Sequence, residues 1–311
     1  MPPHSAERDD DTSRARRAST RRRPGSVRPT RWWLEKLRQR AEGAYDELDL
    51  SEPITFATEA ERDAAVRFFN AAYRAEESGL RQAHALSDEM AALDDELAEA
   101  LRLYGDEEGW HRELLVEFLE YLGGEVRPMG KVTGTFYKLY ARAERMETIM
   151  LTNLMFETIG STTYRLTLRN AEHPAIQQML RILTRDEAFH VPLNVHFMRE
   201  VLQRKPGLSR RRLQWLYSTL FVALVASTVA SRRRAKAFDK LSVRELARAY
   251  AEQLAGLFLH EDDLALEPPR WLLRLVGIRD EELDAITSHV ATSVAAAAAS
   301  ADRASVSVTS L

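Results

Sequence analysis

Apolar side chains recur every three or four positions along most of the chain, a spacing that predicts amphipathic α-helices rather than β-strands. In the first long segment, the apolar face consists of Val66, Phe69, Tyr73, Leu80 and Ala83. Four long helices are predicted in this way, over residues 58–87, 95–122, 135–169 and 174–203. Because turn-forming residues between apolar positions are sparse, we expect an all-α protein.

Glycine and proline mark the ends of these helices. Gly123-Gly124 stops the second helix, Pro174 starts the fourth, and Pro206-Gly207 follows the end of the fourth. The links within each pair of helices are short, and the connection between the pairs is longer. This pattern predicts two helical hairpins joined by one crossover.

Composition divides the chain into five predicted segments. They are a disordered Arg-rich tail over 1–30, a short capping helix and linker over 31–54, the four long helices over 55–205, additional packed helices over 206–287, and a frayed or disordered Ala/Ser-rich tail over 288–311. The first segment has too few apolar residues to offset its ordering entropy. Because it also lacks an apolar signal core, we expect a cytoplasmic protein.

The overall composition excludes several kinds of site. The 311 residues include no cysteine and carry a net charge of −3. Disulfides, thiolate nucleophiles, iron–sulfur clusters and zinc fingers are therefore excluded, and nucleic acid is not an expected partner. Residues 213–230 carry no charge, but the run is near the minimum length for a membrane span. We expect a buried or interface helix there, with peripheral membrane contact as the alternative.

Two Glu-x-x-His motifs carry the predicted chemistry. Glu108 and His111 lie on the second predicted helix, and Glu187 and His190 lie on the fourth. Residues three apart share one face of a helix, so each motif directs a carboxylate and an imidazole toward one point. Two such helices facing each other would form a dinuclear metal site.

The other two helices must then supply one carboxylate each. Glu157, within a strongly apolar run, lies nearly as far before the break at Pro174 as Glu187 lies after it. The two carboxylates should therefore meet at one height across the hairpin. The same construction from Glu108 leads to Glu77, with its neighbour Glu76 as the alternative.

Four carboxylates and two imidazoles form a ligand set that suits two iron ions, or a manganese–iron pair. The four negative charges would balance two divalent ions, so the buried site would be neutral. Each bound histidine also needs its second nitrogen oriented. Asp186 and Glu107, one residue before the ligand glutamates, are expected to hold His111 and His190 respectively.

These motifs resemble those of the ferritin-like, carboxylate-bridged di-iron oxidoreductases. The fourth-helix segment resembles the corresponding helix of ribonucleotide reductase small subunits and reads Arg185-Asp186-Glu187-Ala188-Phe189-His190. The doubled acid-Glu-x-x-His pattern is similar to that of soluble acyl-carrier-protein desaturases. The resemblance covers residues 55–205 and implies a ferritin-like four-helix bundle with additional C-terminal helices. Leu115 stands where the reductases have their radical tyrosine, so that role is not expected.

The resemblance implies a non-haem di-iron oxidoreductase that activates dioxygen to hydroxylate, desaturate or N-oxygenate a small organic or acyl substrate. Ser161 stands where related monooxygenases have a threonine, one turn after the third-helix glutamate. The candidate catalytic or pocket residues are Tyr73, Phe156, Ser161, Tyr164 and Phe189.

The partners expected of such an enzyme are dioxygen, the organic substrate and an external electron donor. No flavin or nicotinamide fingerprint is present, so a ferredoxin or reductase is the expected donor. A homodimer is left open. The alternatives are a ferroxidase or iron-handling ferritin-like protein, and a metal-free helical interaction protein.

Overall fold

The structure is a computed structural model that describes residues 28–43, 46–128, 145–204, 210–260, 264 and 266–304. Every regular element in these ranges is helical, which confirms the all-α prediction. The elements are α1 (Thr30–Glu42), α2 (Glu59–Met90), α3 (Asp95–Tyr121), α4 (Met146–Leu168), α5 (Pro174–Arg204), α6 (Arg210–Asp239), α7 (Val243–His260), α8 (Arg270–Leu275), a 3-10 turn (Asp280–Glu282) and α9 (Leu283–Ala304). Nearly all of the predicted Arg-rich tail and the predicted start of the third long helix lie outside the described residues.

Helices α2 and α3 form an antiparallel hairpin with polar caps at both starts. Thr58 accepts a backbone N–H from the first turn of α2, and Asp94 does the same for α3. Beyond the end of α3, Gly124 lies directly against Val66 near the start of α2. A β-carbon at Gly124 would come within 2.7 Å of the Val66 side chain, so the close approach requires glycine.

Helices α4 and α5 form the second hairpin, and α5 begins at Pro174 as predicted. Several buried threonines of α4 bond back to carbonyls one turn earlier. The hydroxyl of Thr158 donates to the Leu154 carbonyl, and that of Thr162 donates to the Thr158 carbonyl, each at 2.7 Å. These bonds satisfy the hydroxyls inside an apolar helix. Pro192 lies within α5 and has no N–H to donate to the carbonyl one turn before it.

The four central helices, α2 to α5, bury two apolar clusters, one toward each end of the helices. One cluster includes Phe69 and Phe118, and the other includes Tyr104 and Phe197. Between the clusters, each central helix contributes at least one buried acid. The result is a polar layer enclosed on both sides by apolar side chains.

The helices outside this core cover its flanks. Trp33 and Leu37 of α1 are buried where α1 packs on α3. Helix α6 contains the uncharged run and is amphipathic, since Tyr217 and Phe221 are fully buried whereas Trp215 is 68% exposed. No helix among the described residues combines the length and the apolar character needed to cross a membrane.

The C-terminal tail differs from the prediction. Residues 288–304, expected to be frayed or disordered, continue α9, which packs on α7. Val290 is buried there, and a β-carbon at Gly256 would lie 2.5 Å from it. Residues 288–304 are helical because alanine, which dominates this segment, has the highest helix propensity of any residue. Residues 305–311 of the predicted tail lie outside the described residues.

Candidate metal centre

Six buried side chains from the four central helices converge in the polar layer. They are Glu76 of α2, Glu108 and His111 of α3, Glu157 of α4, and Glu187 and His190 of α5. The two imidazoles are fully buried, and their ring centroids lie 5.7 Å apart. His111 Nδ1 lies 3.4 Å from Glu76 Oε2, and His190 Nδ1 lies 3.0 Å from Glu108 Oε1.

Several of these buried atoms have no hydrogen-bond partner within the described part of the chain. They include Nδ1 of His111 and of His190 and one oxygen each of Glu108, Glu157 and Glu187. An unsatisfied buried polar atom costs about 1–3 kcal/mol. Two sets of three ligand atoms, which share His190, each lie within 4.8 Å of one another. Donor atoms left unpaired at this spacing fit metal ions.

The carboxylate that α2 contributes to this layer belongs to Glu76 and not to Glu77. Glu76 is buried beside His111, whereas Glu77 points away and pairs with Arg74 at 2.7 Å and with Arg81 at 3.1 Å. Adjacent helical residues point about 100° apart, so only one of the two can face the layer. The choice of Glu77 was therefore wrong, and the alternative, Glu76, occupies the position.

Asp186 and Glu107 lie behind the imidazoles, each against the histidine of the opposite helix, as the sequence predicts. Nε2 of His111 lies 3.1 Å from Asp186 Oδ2, and Nε2 of His190 lies 3.4 Å from Glu107 Oε2. We call Asp186 and Glu107 the outer acids and the four glutamates of the polar layer the inner glutamates. Because Nε2 of each histidine ring points at an outer acid, Nδ1 of the ring faces the inner glutamates.

Arg40 of α1 bridges the two outer acids, Glu107 and Asp186. It donates from Nε to Glu107 at 2.8 Å and from its terminal nitrogen to Asp186 at 2.9 Å, and its guanidinium stacks 4.6 Å from the Phe189 ring. Arg185 makes two further bonds to Asp186, at 2.8 and 2.9 Å. Because the two arginines offset the two outer acids, the charge of the four inner glutamates is left for other cations to balance.

Burial and mutual repulsion shift the pKa values of the inner groups. Burial, followed by the charges of Glu76 and Glu157, raises the pKa of Glu108 well above its ordinary value. Burial and the charge of Glu157 raise the pKa of Glu187 in the same way. Burial opposes protonation of His111, but the two flanking carboxylates, Asp186 and Glu76, outweigh it and raise its pKa to about 10. Protons thus supply positive charge here, and a bound metal ion would displace them.

Two buried tyrosines each donate a hydrogen bond to one of the inner glutamates. Tyr104 donates to Glu157 Oε1 at 2.6 Å, and Tyr164 donates to Glu76 Oε1 at 3.4 Å. Burial, reinforced by nearby carboxylates, raises the pKa of both phenols well above the ordinary value, so both remain hydrogen-bond donors. Sequence reasoning missed Tyr104, although its place one turn before Glu108 was a usable signal.

A small cavity adjoins the inner glutamates. Its volume is about 30 Å³, and Gly79, Phe156, Gly160 and Tyr164 lie in its wall. This is space for about two water molecules or one diatomic gas molecule. A β-carbon at Gly79 would come within 3.2 Å of Glu108, so glycine leaves room for that carboxylate.

Only two of the five predicted pocket residues, Phe156 and Tyr164, line this cavity. Tyr73 is directed toward the outward-facing Glu77, Phe189 packs under α1, and Ser161 lines a different cleft. Each of these three side chains lies on a neighbouring face of its helix and therefore outside this cavity.

No family model matches the chain, and no curated protein matches it.

Proposed function

We propose that this chain is a ferritin-like, carboxylate-bridged di-iron oxidoreductase that activates dioxygen. The observation that carries the proposal is the set of unpaired donor atoms on Glu108, His111, Glu157, Glu187 and His190, which face one another in an enclosed layer. Carboxylate oxygen and imidazole nitrogen suit iron and manganese. Two iron ions would balance the inner glutamates, and a manganese–iron pair would balance them equally.

The chain's own residues would present these ligands in fixed orientations. Asp186 holds the His111 ring so that Nδ1 faces inward, and Tyr104 holds one oxygen of Glu157 while the other stays available. When bound, the iron pair supplies one-electron redox chemistry and open positions for dioxygen. The apolar clusters on both sides exclude bulk water from that chemistry.

The proposed reaction is hydroxylation, desaturation or N-oxygenation of a small organic or acyl substrate, with electrons from an external ferredoxin or reductase. The cavity beside the inner glutamates accommodates dioxygen. Phe156 lies in its wall and is only partly buried. A substrate C–H or N–H bond would therefore approach the centre at Phe156.

The size of the cavity favours a second candidate, a ferroxidase. A volume of about 30 Å³ holds dioxygen but no organic molecule of even a few carbon atoms. In this case dioxygen oxidises iron, the iron is the substrate, and no organic product forms.

Metal analysis of the full-length chain, purified after expression with added iron, tests the proposed centre. We expect about two iron ions per chain, and a lower unfolding temperature after chelation. Glu157→Gln combined with His190→Asn should remove most of the iron, because both changes replace inner ligands. Glu77→Gln is the matched control and should retain it. Equal iron content in the double variant and the parent protein would contradict the proposal.

Oxygen consumption separates the two candidates. A ferroxidase continues to oxidise added Fe(II) well beyond the resident pair. An oxygenase consumes dioxygen only in step with externally supplied electrons, and added Fe(II) beyond the resident pair stays reduced. Measuring dioxygen uptake and ferric iron together during stepwise Fe(II) addition distinguishes these outcomes.

A further inference from the structure

A second cleft lies on the side of the α4–α5 hairpin away from the inner glutamates. Its volume is about 260 Å³, and α7 and α9 close it. Val191, Leu257, Val290 and Val294 form an apolar wall. The cleft is therefore large enough, and apolar enough, for a small organic molecule.

Arg165 of α4 lies in the same wall of the cleft. Its Nε is fully buried and unpaired. Burial, followed by the charge of the nearby Arg169, lowers the pKa of Arg165. A half-buried guanidinium beside a second cation is unfavourable unless an anion joins it.

Hydroxyl groups lie in the wall of the cleft together with Arg165. Thr184 of α5 lines the cleft, and its buried Oγ1 has no hydrogen-bond partner in the described part of the chain. Ser161 of α4 lies in the same wall. A guanidinium with hydroxyl groups nearby is a set of donors suited to an oxyanion.

The cleft is separate from the cavity at the inner glutamates. No residue lines both spaces. On α4, Thr158 and Arg165 face the cleft, whereas Glu157 and Tyr164, each one residue earlier, face the cavity. One step along a helix turns the side chain by about 100°, which places the two spaces on different faces of α4.

We propose that this cleft binds a monocarboxylate with an apolar body, with the carboxylate on Arg165 and the apolar part against Leu257 and the valines. The guanidinium fork matches two carboxylate oxygens, and the unpaired Thr184 hydroxyl supplies a further donor. The apolar wall removes the hydrocarbon from water. This site does not depend on the proposed metal centre, so it should bind its ligand with or without metal.

Calorimetric titration of the full chain with octanoate tests the proposal. We expect one octanoate per chain, with octan-1-ol and acetate both binding at least about tenfold more weakly, because each lacks one half of the recognised chemistry. Arg165→Gln should weaken octanoate binding about tenfold or more, and Arg165→Lys should weaken it less. The matched control is Arg169→Gln, an exposed arginine that does not line the cleft, and it should bind within about twofold of the parent.

A steric test addresses the apolar half of the cleft. Ser293 is exposed on α9 and lines the cleft, whereas its neighbour Thr292 is exposed and does not. Ser293→Phe should fill the cleft and weaken octanoate binding, and Thr292→Phe should not, with thermal unfolding confirming that both variants fold. Unchanged binding in Arg165→Gln, or inorganic phosphate binding as tightly as octanoate, would overturn the proposal.

Discussion

Replacing Glu76 by glutamine tests the assignment of the inner carboxylates. Glutamine has nearly the same shape, so the substitution removes a charge and leaves the packing of α2 in place. In the metal-free protein, the loss of a partner for His111 is opposed by relief of the repulsion that raises the pKa values of Glu108 and Glu187. We therefore expect the unfolding temperature of the metal-free protein to change little.

The effect should appear on metal loading. If losing this carboxylate weakens metal affinity about 100-fold, mass action removes about 2.7 kcal/mol of metal-induced stabilisation. For a chain of 311 residues, that corresponds to a fall of about 4 °C in unfolding temperature. The assay is thermal unfolding of Glu76→Gln and the parent protein, each measured with chelator and with excess ferrous iron under argon.

Glu77→Gln is the matched control on the neighbouring residue. It breaks ion pairs with Arg74 and Arg81 near the surface, which contribute about 1 kcal/mol or less. Its unfolding temperature should fall slightly, and by the same amount with chelator and with ferrous iron. The rise in unfolding temperature on adding metal is therefore preserved. The reverse pattern, with the increment lost in Glu77→Gln and kept in Glu76→Gln, would refute the geometry of the centre.

Three further predictions concern other parts of the same region. Gly79→Ala should leave the metal-free protein at least as stable, because alanine favours helix, but should weaken metal affinity by crowding Glu108. The control is Gly109→Ala, whose added methyl meets its nearest neighbour at 3.5 Å and should not weaken metal affinity. Equal metal affinities of the two variants in calorimetry would refute the reasoning. Arg40→Gln should weaken metal affinity about 10–100-fold, and Arg40→Lys less, by competition with a chelator; wild-type affinity in both would show that this arginine does not support the centre. Burial lowers the pKa of His196 to about 4, so on acidification this histidine takes up its proton in the unfolded chain before it does so in the folded one. From about pH 7 to 5, the free energy of unfolding should therefore fall by about 2 kcal/mol through this group. Denaturant titration of His196→Asn should show a correspondingly shallower pH dependence of that free energy.

Helical periodicity was sufficient to locate most of the inner acids. Glu-x-x-His fixes two side chains on one face whatever surrounds the helix, which is why Glu108, His111, Glu187 and His190 could be paired from the sequence. Glu157 followed from its distance to the break at Pro174. These inferences depend only on helix geometry, which the sequence specifies locally.

The remaining assignments depend on how the helices rotate and pack against one another. Glu76 and Glu77 are both acidic and adjacent, so only packing decides which one faces inward. Ser161 lies outside the small cavity for the same reason, since its helix presents Gly160 there. Arg40 was missed because its acidic partners are far away along the chain. The packing of α9 was not predicted because the low complexity of a segment does not show whether the segment packs on the rest of the protein.

The position of Arg40 has a consequence for moving this centre into another scaffold. The guanidinium that steadies both outer acids comes from α1, a helix of 13 residues that precedes the four central helices. A transplant of those four helices alone would leave Glu107 without its cation and Phe189 without its cover. A designer would have to carry α1 along, or supply an equivalent arginine from the recipient scaffold.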